Sequence, residues 1–122
     1  MSRKKLLLVD DSNTVLMTEK MILGKLYDIV TANNGQEALE KIPVEFPDLV
    51  LLDVIMPKMG GFELCQKLRQ QEITKSIPII MVTTRGEEAN VEKGFESGCN
   101  DYVTKPFSGI ELLTKIKNQI GD

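Results

Sequence analysis

Short, continuously apolar runs alternate with helical patterns along this chain and predict five strands interleaved with five helices. Residues 49–52 are four apolar residues in succession between prolines, which is typical of a strand buried on both faces of a parallel sheet. Residues 5–9 and 78–82 have the same character and predict two further buried strands. The segments 27–32 and 101–103 are more polar or shorter and predict strands at the edges of the sheet.

The first two predicted helices begin at residues that suit a helix N-cap. Ser12 is expected to cap a helix that runs to about Gly24. Its buried face is expected to contain Val15, Met17, Met21, Ile22 and Leu26, with the methionines filling the core. Asn34 begins the second helix, with Glu37 at capping-box spacing. Pro43 is expected to end that helix, because proline cannot donate the backbone hydrogen bond.

The other three predicted helices each follow a strand. Residues 62–68 indicate the third helix, and residues 87–97 the fourth, with Gly98 suited to terminate it. Residues 104–107 are predicted to be a loop before Ser108 caps the fifth helix. That helix is expected to bury Ile110, Leu113, Ile116 and Ile120.

This alternation predicts an α/β fold, a doubly wound, flavodoxin-like parallel sheet with helices on both faces. The more apolar first, third and fourth strands belong in the middle, so the expected strand order is 2-1-3-4-5. Residues 1–122 are expected to form one domain. In this order the first and third strands are neighbours at the topological switch point, where ligands bind in such sheets.

The composition excludes several classes of function. The 122 residues are 42% hydrophobic and 27% charged, as in a globular domain, and the net charge of −3 disfavours direct nucleic-acid binding. No apolar run approaches the ~18 residues of a membrane span, and the early first strand predicts no signal peptide. Cys65 and Cys99 lack metal-binding spacing, which fits a reduced, cytoplasmic protein. The chain contains no histidine, so catalysis by histidine and metal ligation by histidine are both excluded.

Polar residues stand at the carboxyl ends of four predicted strands: Asp10, Asp11, Asp53, Thr83 and Lys105. Alone, each has an ordinary explanation, since aspartate favours turns and caps, and threonine and lysine are common in loops. Together they are expected to converge on one crevice, because the carboxyl ends of parallel strands meet at one edge of the sheet.

Three clustered carboxylates repel one another, so either their pKa values rise or a divalent cation lies among them. An all-oxygen site suits Mg²⁺ or Mn²⁺. Such a cation and Lys105 together would neutralise the three carboxylates and leave a cavity suited to an anionic phosphoryl group. An aspartate can then act as the nucleophile and form an aspartyl phosphate, with Thr83 donating a hydroxyl hydrogen bond to the group.

The sequence resembles the receiver domain of two-component response regulators. The resemblance covers about residues 5–120 and rests on four motifs: Leu-Val-Asp-Asp-Ser, Leu-Asp-Val-Ile-Met-Pro-x-Met-x-Gly, Val-Thr-Thr and Tyr-Val-Thr-Lys-Pro-Phe. It implies that Asp53 accepts a phosphoryl group from a histidine kinase or a phosphotransfer protein. It also implies that Asp11, Asp53 and the backbone carbonyl of Ile55 bind Mg²⁺, with Asp10 assisting through water.

The resemblance further implies a switch. Thr83 and Lys105 would contact the phosphoryl group, Tyr102 would be an aromatic switch residue coupled to Thr83, and the Lys105–Pro106 bond would be cis. The surface of helix four, strand five and helix five would then signal to a downstream protein partner. Ile55 and Arg85 occupy positions that vary in this family, and they are expected to tune the lifetime of the phosphorylated state.

Two other classes compete with this interpretation. An aspartate-nucleophile phosphatase typically needs a second aspartate two residues after the nucleophile, where this chain has Ile55. A flavodoxin-like cofactor binder needs an anion-friendly loop after the first strand; Ser12-Asn13-Thr14 fits weakly, but Asp10 and Asp11 would repel a flavin phosphate. The sequence does not distinguish an output regulator from a phosphorelay intermediate, or a stand-alone domain from part of a longer protein.

Overall fold

A computed structural model of the chain describes residues 3–56, 58–84 and 88–121. Five strands alternate with five helices in the order predicted from the sequence. The strands are β1 (Lys5–Val9), β2 (Asp28–Ala32), β3 (Leu49–Asp53), β4 (Ile79–Thr84) and β5 (Asp101–Lys105). The helices are α1 (Asn13–Leu23), α2 (Gly35–Glu45), α3 (Gly61–Gln70), α4 (Glu88–Ser97) and α5 (Gly109–Ile120).

All five strands are parallel and form one sheet in the order β2-β1-β3-β4-β5, which confirms the predicted fold class and strand order. The three most apolar strands are the central ones, and β2 and β5 are the edges. Because β1 and β3 are neighbours, the residues that follow these two strands emerge side by side at the carboxyl edge of the sheet.

Two hydrophobic clusters cover the two faces of the sheet, because successive strand residues point to opposite faces. Leu7, Val50 and Met81 pack with α2 and α3, and α4 lies on this face too, where a Cβ on Gly94 would be 3.4 Å from Met81. Leu8, Leu51 and Val82 point the other way, toward α1 and α5. These faces are called the α2/α3/α4 layer and the α1/α5 layer below.

The predicted buried face of α1 is wrong for its methionines, although Ile22 packs, partly buried, in the α1/α5 layer as predicted. Met17 and Met21 are 63% and 74% exposed, and the residues that face the sheet are Leu16, Glu19 and Leu23. These residues are three and then four positions apart, so they lie on one side of the helix. The sequence did not reveal this as the buried side, because one of the three residues is a glutamate. The methionines therefore contribute apolar surface rather than core.

The helix α2 does not end at Pro43, as the sequence predicted, but continues to Glu45. Proline cannot donate a hydrogen bond to the carbonyl of Leu39, and its ring crowds that carbonyl, but its fixed φ angle is compatible with a helix. The last turn still closes, with the N–H of Phe46 donating to the carbonyl of Ile42 at 2.8 Å. Phe46 then ends the helix in the left-handed conformation, with φ of 48°.

Two predictions around β5 and α5 also need correction. Thr104 and Lys105 are not loop residues but continue β5, where they pair with Thr83 and Thr84 of β4. Ile110 is exposed, which contradicts its predicted burial, and α5 buries Leu112, which was not predicted. The other predicted residues are confirmed, since Ile116 is buried and Leu113 and Ile120 pack, partly buried, in the α1/α5 layer.

The predicted N-caps of three helices are confirmed, since Ser12, Asn34 and Ser108 each accept a backbone N–H in the first turn. Gly98 has φ of +109° directly after α4, as the sequence predicted for its end. The predicted start of α4 at residue 87 lies outside the described residues. No helix in the described part of the chain is long and apolar enough to cross a membrane.

Candidate functional site

Three carboxylates meet where β1 and β3 end. Asp10 follows β1 and is 1% exposed, Asp53 is the last residue of β3 and is 8% exposed, and Asp11 is exposed at the rim. One oxygen from each lies within 4.8 Å of the others. Oδ1 of Asp10 accepts the N–H of Ser12 at 2.9 Å, which fixes the turn into α1. This all-oxygen donor set suits a hard divalent cation such as Mg²⁺ or Mn²⁺.

Lys105 brings a positive charge to the same place from the end of β5. Its Nζ lies 3.2 Å from Oδ2 of Asp10 and 3.3 Å from Oδ1 of Asp53. Asp10, Asp53 and Lys105 each stand two positions after a strand residue that packs in the α1/α5 layer: Leu8, Leu51 and Val103. The alternation of strand side chains therefore turns all three toward the same side of the carboxyl edge.

Burial and charge together set the protonation of the site. Loss of solvation raises the pKa of Asp53 to about 6, and the neighbouring Asp10 adds to the increase while Lys105 opposes it. Burial alone would lower the pKa of Lys105, but the charges of Asp53 and Asp10 outweigh that effect and raise it. The lysine therefore remains a cation, and Asp53 is a carboxylate that is easily protonated when no metal balances its neighbours.

Glu19 is a fourth carboxyl group beside the site, and the sequence interpretation did not include it. It lies on the inner face of α1 and is 1% exposed. Among the described residues, its Oε1 is the buried side-chain oxygen without a hydrogen-bond partner. Burial, followed by repulsion from Asp10, raises the pKa of Glu19 to about 8, while Lys105 lowers it. With its pKa raised to about 8, Glu19 is expected to hold its proton at neutral pH in the metal-free protein. The spacing of Leu16, Glu19 and Leu23 was the sequence signal that could have revealed it.

The loop between β3 and α3 folds back over the end of β3. The N–H of Gly61 donates to the carbonyl of Val54 at 2.8 Å. A Cβ on Gly61 would lie 2.5 Å from the carbonyl oxygen of Asp53, so only glycine allows this close approach. Ile55, two residues after Asp53, is 64% exposed and its side chain does not pack in the core.

Thr83 and Tyr102 lie on the same face of the sheet. Tyr102 pairs with Met81, and Thr83 is two residues beyond Met81 on β4. Thr83 is buried, and Tyr102 is partly buried against the α2/α3/α4 layer. The ring of Tyr102 contacts that of Phe95 edge-on, with centroids 6.0 Å apart.

The structure thus brings together the predicted residues Asp10, Asp11, Asp53 and Lys105, with Thr83 on the adjoining strand. The Lys105–Pro106 peptide bond, which leaves the site, is cis. Arg85, which the sequence interpretation assigned to lifetime tuning, lies outside the described residues.

An acidic cluster and a lysine at the switch point of a 2-1-3-4-5 sheet define a response-regulator type of site. The sequence matches the response regulator receiver domain family over residues 6–117, and the chain belongs to that family.

Proteins of known structure and sequence agree with this assignment. Chemotaxis protein CheY4 of Vibrio cholerae is 33% identical, with a TM-score of 0.90 over 97% of this chain and 99% of that one. The receiver domain of a sensor histidine kinase from Pseudomonas aeruginosa is 27% identical, with a TM-score of 0.91 over 99% of this chain and 100% of that one. That structure holds a magnesium ion coordinated in its active-site cleft.

The alkaline phosphatase synthesis transcriptional regulatory protein PhoP of Bacillus subtilis is 44% identical over 115 residues. The match covers 93% of this chain but 47% of that protein, so the chain spans about half the length of this curated relative. The shared part is the receiver domain, a signalling module of two-component systems.

Proposed function

We propose that Asp53 is the phosphoacceptor of this receiver domain and takes its phosphoryl group from a histidine kinase or a phosphotransfer protein. The observation that carries this assignment is the position of Asp53. It ends the central strand β3, its Oδ1 is 3.3 Å from the ammonium of Lys105, and two other carboxylates lie within 4.8 Å. Asp11 is exposed at the rim of the site and does not lie on the central strand. Asp10 also contacts Lys105, but its side chain is 2% exposed against 11% for Asp53, and it accepts the N–H of Ser12 in the turn into α1.

In the proposed reaction, a carboxylate oxygen of Asp53 attacks the phosphorus atom of the donor. The new oxygen–phosphorus bond forms as the bond to the donor nitrogen breaks, and the electron pair leaves with the imidazole ring of the donor. Lys105 stabilises the negative charge that is spread over the phosphoryl oxygens, and the hydroxyl of Thr83 donates a hydrogen bond to the same group. Small phosphodonors would react in the same way, with an oxygen leaving group.

A divalent cation fits the carboxylate donor set of this site. Asp11, Asp53 and the backbone carbonyl of Ile55 would hold Mg²⁺ or Mn²⁺, with Asp10 assisting through water. When bound, the cation supplies positive charge that offsets the repulsion between the carboxylates and an incoming phosphoryl group. The pKa of Asp53 is raised by burial first and by repulsion from Asp10 second, and a bound cation would offset both effects, which supports this role.

The proposed output is a change of surface at α4, β5 and α5 that a downstream protein partner recognises. Phosphorylation would draw the Thr83 hydroxyl toward Asp53, and the ring of Tyr102 would move into the vacated space. The common face of Thr83 and Tyr102 supports this coupling. A cytoplasmic location and the absence of direct nucleic-acid contacts are predictions from the sequence, as is a single domain over residues 1–122.

The rival functions have weaker support. A phosphatase of the aspartate-nucleophile type needs an acid/base two residues after Asp53, and Ile55 is apolar and points away from the core. A flavodoxin-like binder would place an anionic phosphate beside Asp10 and Asp11, which repel it.

The test is labelling with acetyl phosphate, measured by intact mass. The parent protein should gain one phosphoryl group with Mg²⁺ and lose this labelling when the metal is chelated. Asp53→Asn should gain none, while Asp28→Asn, at an exposed aspartate of β2, should be labelled like the parent. Stoichiometric labelling of Asp53→Asn would overturn the assignment of the acceptor.

A further inference from the structure

The ring of Tyr102 lies between two side chains from different helices. Phe95 of α4 meets it edge-on, with an interplanar angle of 90° and a centroid distance of 6.0 Å. The ammonium of Lys115, on α5, lies 4.7 Å from the centre of the same ring. Both arrangements are favourable, because the face of an aromatic ring is negative and its edge is positive.

Lys115 reaches this ring from the opposite side of the sheet. Its helix belongs to the α1/α5 layer, whereas Tyr102 packs against the α2/α3/α4 layer. The side chain can pass from one face to the other because β5 is an edge strand. Lys115 therefore wraps around the edge of the sheet and joins α5 to a side chain on the far face.

Two further contacts anchor the ammonium of Lys115 at this edge. Its Nζ donates to the backbone carbonyl of Tyr102 at 2.5 Å and lies 3.4 Å from Oδ1 of Asp101. The same carboxylate oxygen accepts the backbone N–H of Tyr102 at 2.8 Å. These bonds involve the backbone and Asp101, so they hold the cation in place whatever the orientation of the Tyr102 ring.

We propose that Lys115 is a positioning residue for Tyr102, whose anchored cation holds the ring against Phe95 and away from Thr83. In the proposed switch, movement of the ring toward Thr83 takes it away from both Lys115 and Phe95, so these two residues oppose the switch in the unphosphorylated protein. The proposal rests on the proposed function, in which Tyr102 responds to phosphorylation of Asp53. It adds that α5 takes part in the switch through one side chain that crosses the sheet edge.

The roles of charge and packing are separable at Lys115. Lys115→Met keeps an unbranched apolar side chain but removes the cation, whereas Lys115→Arg keeps a cation able to lie over the ring. Losing the cation–π interaction with Lys115 should raise, about threefold to tenfold, the population of molecules in which the Tyr102 ring lies toward Thr83. Phe95→Leu, which removes the other ring contact, should act in the same direction.

The experiment compares the two tyrosine rings by NMR in unphosphorylated protein. The chain contains two tyrosines, and the buried Tyr27 serves as an internal reference. Nuclear Overhauser contacts between the Tyr102 and Phe95 rings should weaken in Lys115→Met, and contacts of Tyr102 with residues around Thr83 should appear. Lys115→Arg should behave like the parent, and so should Lys20→Met, at an exposed lysine of α1.

Each outcome decides the proposal. Unchanged Tyr102 contacts in a folded Lys115→Met protein would overturn it, as would an equal change in Lys115→Arg, which would indicate a role in packing rather than charge. Intact-mass labelling of Asp53 is measured on the same samples. A parent that is not labelled contradicts the proposed function, but the ring contacts of the three Lys115 proteins still show whether the ammonium positions Tyr102.

Discussion

The ammonium of Lys105 lies 3.3 Å from Oδ1 of Asp53, across 52 positions of sequence, and also 3.2 Å from Oδ2 of Asp10. Lys105 thereby provides the positive charge that partly offsets the repulsion between two buried carboxylates. The strand β5 must pair with β4 for this contact to exist, so the chemistry of Asp53 depends on an edge strand that contributes no carboxylate to the cluster.

Lys105→Met is therefore expected to slow phosphorylation of Asp53 by roughly a hundredfold, the usual effect of removing a positioned electrostatic stabiliser. The pKa of Asp53 should also rise further above about 6, because Lys105 lowers it in the parent. Labelling rates with acetyl phosphate and an NMR titration of the Asp53 carboxyl check the two effects. Lys75→Met, at an exposed lysine paired with Glu72, is the control. A labelling rate equal to the parent's would contradict the role of Lys105.

Glu19 is expected to make the stability of the metal-free protein depend on pH. The folded protein holds the proton of Glu19 up to about pH 8, whereas the unfolded chain releases it near 4.5. The contribution of Glu19 to the free energy of unfolding is fully present below pH 4.5 and is lost as the pH rises to about 8. Between these two pH values the free energy of unfolding falls by about 1.4 kcal/mol per pH unit.

Glu19→Gln should remove this slope, because glutamine is uncharged at every pH. Urea unfolding at several pH values between 4.5 and 8, with a chelator present, checks the prediction by comparing parent and variant. Asp53, whose pKa is also raised, contributes in the same direction to both proteins and cancels in the difference. Parallel pH profiles for the two proteins would show that Glu19 is ionised in the fold.

Gly61→Ala should distort the end of β3. The new Cβ would lie 2.5 Å from the carbonyl oxygen of Asp53 and 3.0 Å from Cα of Val54, and these backbone atoms cannot yield without moving the acceptor. A loss of about 1–3 kcal/mol in unfolding free energy, with slower labelling of Asp53, is expected. Gly60→Ala is the matched control, since among the described residues its Cβ would meet the carbonyl oxygen of Val54 alone, at 3.3 Å. Equal effects of the two variants would argue against a special role for Gly61.

Thr83→Ala should accept the phosphoryl group on Asp53 but transmit little of the response. Without the hydroxyl, nothing draws residue 83 toward the phosphoryl oxygens, so the Tyr102 ring gains no preference for its inward position. The measurement is the set of amide shifts in α4 and β5 that accompany phosphorylation, normalised to the labelled fraction from intact mass. Shifts as large as those of the parent would exclude the coupling through Thr83.

The aspartyl phosphate is expected to hydrolyse slowly. Ile55 is largely exposed beside the acceptor and cannot orient a water molecule by hydrogen bonding, and a guanidinium at position 85 suits phosphate oxygens. The double variant Ile55→Asn, Arg85→Glu should therefore lose its phosphoryl group faster than the parent after the donor is removed. Unchanged or slower decay of the double variant rules out this explanation of lifetime.

The sheet was predictable from the sequence because its central strands are buried on both faces and read as unbroken apolar runs, as in residues 49–52. The buried side of α1 was not predictable from the sequence, because apolar residues occur on several sides of the helix and the buried side includes Glu19. Pro43 misled for a related reason. Proline is a strong local signal for the end of a helix, yet close to the end of α2 its lost hydrogen bond and the crowding by its ring are tolerated.

The candidate site was predictable in its residue types, because polar residues at the carboxyl ends of parallel strands must converge. The resemblance to receiver domains supplied the roles proposed for Tyr102 and Ile55. Neither source indicated Lys115, because its contacts with Tyr102 depend on the reach of a long side chain around the sheet edge. The need for glycine at position 61 depends equally on how the β3–α3 loop returns over Asp53.

The site is assembled from chain positions 10, 53 and 105, which meet only after β1, β3, β4 and β5 have paired. An unfolded or half-formed chain therefore lacks the assembled cluster. Any metal or phosphodonor that binds the assembled cluster binds the native state alone and so shifts the folding equilibrium toward it. Metal binding and phosphorylation of the cluster are consequently linked to folding, so a variant that loses the fold is expected to lose its response as well.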